Sequence, residues 1–263
     1  MRPTAQLNGA PVNLDHLTAL ALINYGHYTS MRVDDLRARG LSLHLERLVR
    51  DCRRIFDAQL DPDWVRRLVR HALAEAPRSV VVRVTVFDPE LQLARIGADA
   101  QPHLLVTTRP AAVDTLPALR LRSTQYCREL PAVKHVGLFG SLQRRRIAQR
   151  NGFDDVLFTG ADTEISEAAT ANVGVIAGDR IVWPQAPCLS GVTMRLINQA
   201  VGEQAGTAPV TLRELAGVDA VLATNATVGI RPVVAIDGIR FPTKHPMVNT
   251  LCDQYADIPT EPW

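Results

Sequence analysis

Two residues in this chain have the types and surroundings to do chemistry together. Lys134 follows a short apolar run in LPAVKHVGLFGS, and Glu167 stands among small residues in TEISEAATANVGVIAGDRIVWP, just before a strand-like run and a turn. An amine taken out of water gives up its proton more readily and can form a Schiff base with an aldehyde cofactor. A buried carboxylate can hold a proton on a ring nitrogen, which makes a heteroaromatic ring a better electron sink. The pair supplies the two halves of one chemistry, 33 residues apart.

The elements that must position them are readable from period and punctuation. Leu45, Leu48, Val49 and Cys52 recur at helical spacing with charges between them, which predicts an amphipathic helix over 43–56. A second helix is expected over 63–75, opened by the cap-like Asp61-Pro62-Asp63. SVVVRVTVFD and HLLVTTRP read as strands, so the first half is α+β with an antiparallel sheet. RPAAVDTLP has two prolines and neither period, and it sets residues 111–117 as a linker between a smaller N-terminal α+β domain (1–110) and a larger C-terminal domain (118–263). In the second domain ALRLRSTQ, DDVLFTG, ISEAATANVGVIAG and DRIVWP read as strands. A basic helix is expected over 140–151, ended by Asn151-Gly152, and another over 192–203, opened by Ser190-Gly191-Val192-Thr193. DAVLATNATVGIRPVVAIDG adds two strands and an Asp-Gly turn.

Composition narrows the function classes. A chain of 263 residues, 46% hydrophobic, can bury one large core or two ordinary ones. A net charge of +2 gives no electrostatic case for nucleic acid or a membrane as partner, and the runs Arg66-Arg67 and Arg144-Arg145-Arg146 read as solvated helix faces. Cys52, Cys127, Cys188 and Cys252 have no metal-ligand spacing, so no metal is expected and the thiols read as inert in a reducing compartment. MRPTAQLNGAPVNL lacks the apolar core of a signal peptide, and no run has the length of a membrane span, so the expected location is cytoplasmic. Gly137-x-x-Gly140-Ser141 lacks the lysine of a P-loop and the Rossmann spacing, which argues against a nucleotide site.

The order HLERL, VKH, DDVLF, EISEAATANVGVI, LSGVT and TNATVGIRPVVAIDG, spread over 8–238, resembles the class IV (fold-type IV) pyridoxal phosphate family. That family contains branched-chain aminotransferases, D-amino acid aminotransferases and 4-amino-4-deoxychorismate lyase. The resemblance implies a two-domain α+β fold with pyridoxal 5′-phosphate in the interdomain cleft, and a homodimer. It implies that Lys134 is the Schiff-base lysine and general base, and that Glu167 lies beside the pyridine nitrogen, with Asn172 matching an asparagine of the pattern. Arg47 in HLERL falls at the phosphate-gripping arginine. Val192 and Thr193 fall at a phosphate-binding helix start, and Asn225, Ala226 and Thr227 at a second phosphate loop.

On the substrate side, NYGHYTSMRV places Tyr28 at the aromatic wall of the pocket and Ser30 where the lyase carries a catalytic threonine. The Ser30 hydroxyl either relays a proton or caps a turn. Arg32 either attracts a substrate carboxylate or is structural, and Arg83 is a further candidate for that carboxylate. Two positions depart from the pattern. Phe139 replaces a tyrosine that contacts the cofactor's ring oxygen in many transaminases, and Lys134-His135-Val136-Gly137 keeps the histidine of the lyase's Lys-His-Leu-Asn but loses its asparagine. The expected activity is amino-group transfer between an amino acid or amine and a 2-keto acid. The alternatives are the lyase reaction, which releases pyruvate and 4-aminobenzoate, and a cofactor-binding protein without turnover.

Overall fold

The computed structural model describes residues 5–112 and 116–263, so positions 113–115 of the expected linker lie outside the described residues. The chain divides into two compact units. Met1–Val113, Val133–Gly137 and Pro259–Trp263 make the first, and Asp114–Ala132 with Leu138–Ile258 the second. Lys134 thus belongs to the first unit, although it follows the linker in sequence.

The first unit is a seven-stranded sheet in the order Thr260–Pro262, Arg37–Arg39, His27–Asp34, Ser79–Phe87, His103–Pro110, Ala5–Leu7, Ala10–Pro11. Every pairing in it is antiparallel, as the β-branched runs of the first half predict. Two helices cover it, Leu41–Phe56 against His27–Asp34 and Pro62–Leu73 against His103–Pro110. The second helix starts where expected: Asp61 accepts from the Asp63 amide at 2.8 Å, with Pro62 at the first helical position. The core contains Met31, Leu41, Leu48, Cys52, Val82 and Val84. Strand alternation puts His27, Thr29, Met31 and Val33 on the buried face, and Tyr28, Ser30 and Arg32 on the other.

The second unit is a nine-stranded mixed sheet that closes on itself. The ring of six strands runs Ala171–Ala177, Ala220–Asn225, Gly229–Ile236, Leu119–Gln125, Asp155–Thr159, Ile165–Ala168 and back to Ala171–Ala177. Leu119–Gln125 is parallel to both of its neighbours. Side chains from all six strands meet in one cluster, among them Leu121, Leu157, Ile165, Val173, Val221 and Val233. A second cluster joins Ile176, Trp183 and Leu222 to the helices Val192–Val201 and Pro246–Asp257.

The segment read as one stretch, ISEAATANVGVIAG, is two strands, Ile165–Ala168 and Ala171–Ala177, turning at Ala169-Thr170. The helix expected over 192–203 stops at Val201, because Gly202 takes φ 55° and leads into a short 3₁₀ turn. Among the described residues no helix is long and apolar enough to cross a membrane.

Two imidazoles are fully buried in the first unit, His27 and His44. Burial and the nearby Arg47 and Arg50 guanidiniums push His27 down to about 3, while burial, Arg47 and Lys134 push His44 well below the usual range. Both stay neutral when folded but accept a proton on unfolding once the pH falls below about 6.5. Stability is therefore independent of these groups above pH 6.5 and decreases as pH falls below it. For His27 the loss between pH 6.5 and pH 5 should be about 2 kcal/mol, and His44 adds to it in the same direction. Urea unfolding at pH 7, 6 and 5 checks this: the midpoint should fall steadily, His27→Gln should flatten the slope, and an unchanged midpoint at pH 5 would contradict it.

Candidate active site

Lys134 sits in a segment with no regular structure that is tied to the first unit's sheet and helix through its backbone. Its carbonyl accepts from the Tyr28 amide at 2.8 Å, and the Val136 amide donates to Gly26 O at 2.9 Å. His135 bridges to His27, and the Lys134 amide donates to Asp51 Oδ2 at 3.2 Å. Asp51 is fully buried and its other oxygen accepts from Arg50 at 2.7 Å, so a charged group inside the unit fixes the lysine's backbone. The Lys134 side chain is half-buried, with Nζ 5.0 Å from the centre of the Tyr28 ring. An ammonium at that distance from an aromatic face is favoured electrostatically.

Arg47 is 5% exposed on the helix Leu41–Phe56. Its Nη2 donates to Thr29 Oγ1 at 2.5 Å, and Thr29 Oγ1 lies 2.7 Å from His44 Nδ1. His44, Arg47 and Asp51 all lie on the buried stripe of this helix with Leu41, Leu48 and Cys52. On the opposite sheet face, the Arg83 guanidinium lies 3.6 Å above the Tyr28 ring, and Arg83 is the cross-strand partner of Ser30. Arg32, exposed on the same face, is committed to Asp34 at 2.8 Å, Ala112 O at 3.0 Å and Ser79 Oγ at 3.0 Å. Its geometry is that of a strut, which leaves Arg83 as the arginine lying over Tyr28.

Glu167 lies in the second unit, directly across the barrel strands from Asn172. It is 6% exposed. Oε1 accepts from Arg128 Nε at 2.7 Å and Oε2 from the Leu189 amide at 3.2 Å. Asn172 Nδ2 donates to Leu189 O at 2.6 Å. Both the N–H and the C=O of Leu189 are thus held by side chains of paired strands, and three residues later the helix Val192–Val201 begins. At Gly191 a Cβ would stand 2.0 Å from Asn172 Oδ1, so only glycine fits that approach. Among the described residues no side chain caps this helix start, and Thr193, 1% exposed, has a buried Oγ1 without a hydrogen-bond partner. Open amides, the positive end of a helix dipole and an orphaned buried hydroxyl are the donors an organic phosphate requires.

The second loop is an Asx turn. Asn225 Oδ1 accepts from Thr227 N at 3.1 Å, Thr227 Oγ1 at 2.9 Å and Val228 N at 3.0 Å. Asn225 and the Thr227 hydroxyl therefore shape the loop, and the Ala226 amide takes no part in those bonds. Phe139 is 80% exposed at the start of the helix Phe139–Arg150, where a side chain touches little of its own unit.

Arg128 and Asp51 were not singled out from sequence. Asp51 carried a signal, since His44, Arg47 and Asp51 fall at i, i+3 and i+7 on a helix's apolar stripe, where charges need partners. Arg128 carried none, in a loop without period.

The chain matches the model of the family described as amino-transferase class IV over residues 26–236. No curated protein sequence matches the chain closely enough to count as a relative. Solved structures do. The branched-chain aminotransferase of Thermoproteus uzoniensis, with norvaline, superposes with a TM-score of 0.86 at 17% identity, covering 97% of this chain and 94% of that one. A Legionella pneumophila structure described as a "putative 4-amino-4-deoxychorismate lyase" gives 0.79 at 23%, covering 91% and 93%. The pyridoxal phosphate-bound form of a hypothetical aminotransferase of Mycobacterium tuberculosis gives 0.80 at 18%, covering 96% and 97%. At these identities the likeness establishes the fold, and the family match extends over well over half of the sequence: the chain belongs to the class IV amino-transferase family.

Proposed function

We propose that this chain is a pyridoxal 5′-phosphate-dependent aminotransferase that moves an amino group between an amino acid or amine and a 2-keto acid. The observation that supports this most is the backbone of Leu189, which ties the Glu167 carboxylate to the chain leading into the open helix start at Val192 and Thr193. A carboxylate and a phosphate cradle held on one rigid piece suit a ligand that carries a basic ring nitrogen and a phosphate on one small skeleton. When bound, pyridoxal 5′-phosphate supplies an aldehyde that takes up primary amines and a ring that accepts electrons from the substrate's α-carbon.

This chain's residues do the rest. Val192 and Ala226 offer backbone amides to the phosphate, Thr193 its unpartnered hydroxyl, and Arg47 its charge. Glu167 keeps a proton at the ring nitrogen. Lys134 is the amine that anchors the cofactor and, once displaced by substrate, takes and returns the α-proton at Nζ. It is one of just two lysines in the chain, the other being the exposed Lys244. Tyr28, stacked under Arg83, forms an aromatic wall with a cation over it, a surface suited to a substrate carboxylate. The same reading includes a homodimer and a cytoplasmic location.

A second reading, the 4-amino-4-deoxychorismate lyase reaction, is favoured by a specific feature. Ser30 shares a strand face with Tyr28, two residues from it, and its hydroxyl would serve as the proton relay for the elimination. Product analysis separates the two: an amino acid formed from an added keto acid marks transfer, and pyruvate with 4-aminobenzoate marks the lyase.

Three variants test the roles. Lys134→Ala should lower turnover by about 10²–10⁴-fold, and full activity would end the proposal. Glu167→Gln should still bind the cofactor while kcat falls on the order of 10²-fold; unchanged kcat would remove the carboxylate from the mechanism. Thr193→Val should weaken cofactor binding about tenfold without lowering the melting temperature of the apoprotein, because it removes a hydroxyl that has no partner there. A cofactor Kd equal to wild type would show that this helix start is not the phosphate site.

A further inference from the structure

We propose that Arg128 is a positioning residue for this reaction, fixing the Glu167 carboxylate and tying it to the loop that leads to Lys134. The proposal rests on the cofactor reading above. Arg128 Nε donates to Glu167 Oε1 at 2.7 Å, and both side chains are 8% exposed. A second arm of the same guanidinium donates to Pro131 O at 2.6 Å, three residues before Lys134. One planar group therefore joins the carboxylate to the carbonyl of Pro131.

The geometry restricts what Glu167 can do. A glutamate side chain has three rotatable bonds, and the Leu189 amide at 3.2 Å holds just one of its oxygens. Arg128 holds the other and removes the remaining freedom of the carboxylate plane. It also gives a nearly dry carboxylate an opposite charge, without which the group would be left uncompensated. The neighbouring Cys188 does not compete for this pair: burial pushes its thiol up to about 11, with Glu167 adding to the rise and Arg128 opposing it. Arginine is the residue for this place, because a lysine keeps the charge but cannot donate in two fixed directions from one plane.

The test uses the holoenzyme of Arg128→Lys and Arg128→Gln, alone and combined with Glu167→Gln. Arg128→Lys retains the charge and is expected to fold, so it carries the test if Arg128→Gln does not. It should bind pyridoxal 5′-phosphate within about threefold of wild type, with kcat about tenfold lower and KM for the amino donor little changed. The pH at which its visible cofactor band changes should move. Adding Arg128→Lys to Glu167→Gln should cost no further activity, since Arg128 acts through Glu167. In the apoprotein, melting temperatures of Arg128→Gln, Glu167→Gln and the double variant should show coupling, the double losing less than the sum. A kcat for Arg128→Lys within about twofold of wild type, or losses that multiply in the double variant, would overturn the proposal. A wild-type protein that takes up no pyridoxal 5′-phosphate while the apoprotein melts remain coupled would instead overturn the cofactor reading, and the catalytic part of this proposal with it.

Discussion

The short strand Ile165–Ala168 is hydrogen-bonded along both edges, to Asp155–Thr159 on one side and Ala171–Ala177 on the other. That double pairing closes the six-stranded ring and leaves the strand no freedom to slip, because a shift of one residue would turn every side chain to the wrong face. Glu167 is consequently fixed opposite Asn172, and the two reach one residue, Leu189, at its N–H and its C=O. The start of the helix Val192–Val201, three residues on, inherits its position from that residue. A buried carboxylate is tolerated in this place because Arg128 and a backbone amide satisfy it, as a group only 6% exposed has little water to do so.

The first unit solves a similar problem with a helix. Leu41–Phe56 buries an apolar stripe, and into it the sequence inserts His44, Arg47 and Asp51. Each is used. His44 and Arg47 converge on Thr29, and Asp51 holds the amide of Lys134. Burial keeps the two imidazoles neutral, so the cations of this region are Arg47, Arg50 and the lysine rather than histidines. Polar groups placed this way specify one arrangement more sharply than an apolar stripe would, at a cost in stability that grows as the pH falls.

Much of this was legible in the sequence, for identifiable reasons. Helical period gave Leu41–Phe56 to within two residues at its start, and an Asx cap with proline gave the beginning of Pro62–Leu73. The β-branched runs gave Ser79–Phe87 and His103–Pro110. The helix Leu14–Ile23 was not legible, since LDHLTALALI has no polar face to set a period and none of its residues is buried. Barrel closure was not legible either: each strand is local, but the parallel pairings of Leu119–Gln125 join segments more than 30 residues apart. The C-terminal strand Thr260–Pro262 pairs with Arg37–Arg39 for the same non-local reason. Of the residues proposed to act, Lys134, Glu167, Thr193 and Arg47 came from ordered motifs, whereas Arg128 stands in an aperiodic loop where nothing local distinguishes it from a solvated arginine.

The most direct test of the central claim is to load the protein with pyridoxal 5′-phosphate, reduce it with borohydride, and map the labelled peptide by mass spectrometry. With two lysines in the chain, the assignment is unambiguous. The account predicts one cofactor adduct, on the peptide containing Lys134, and its loss when an amino donor is added before reduction. An adduct on Lys244 alone, or no adduct at all, would contradict it.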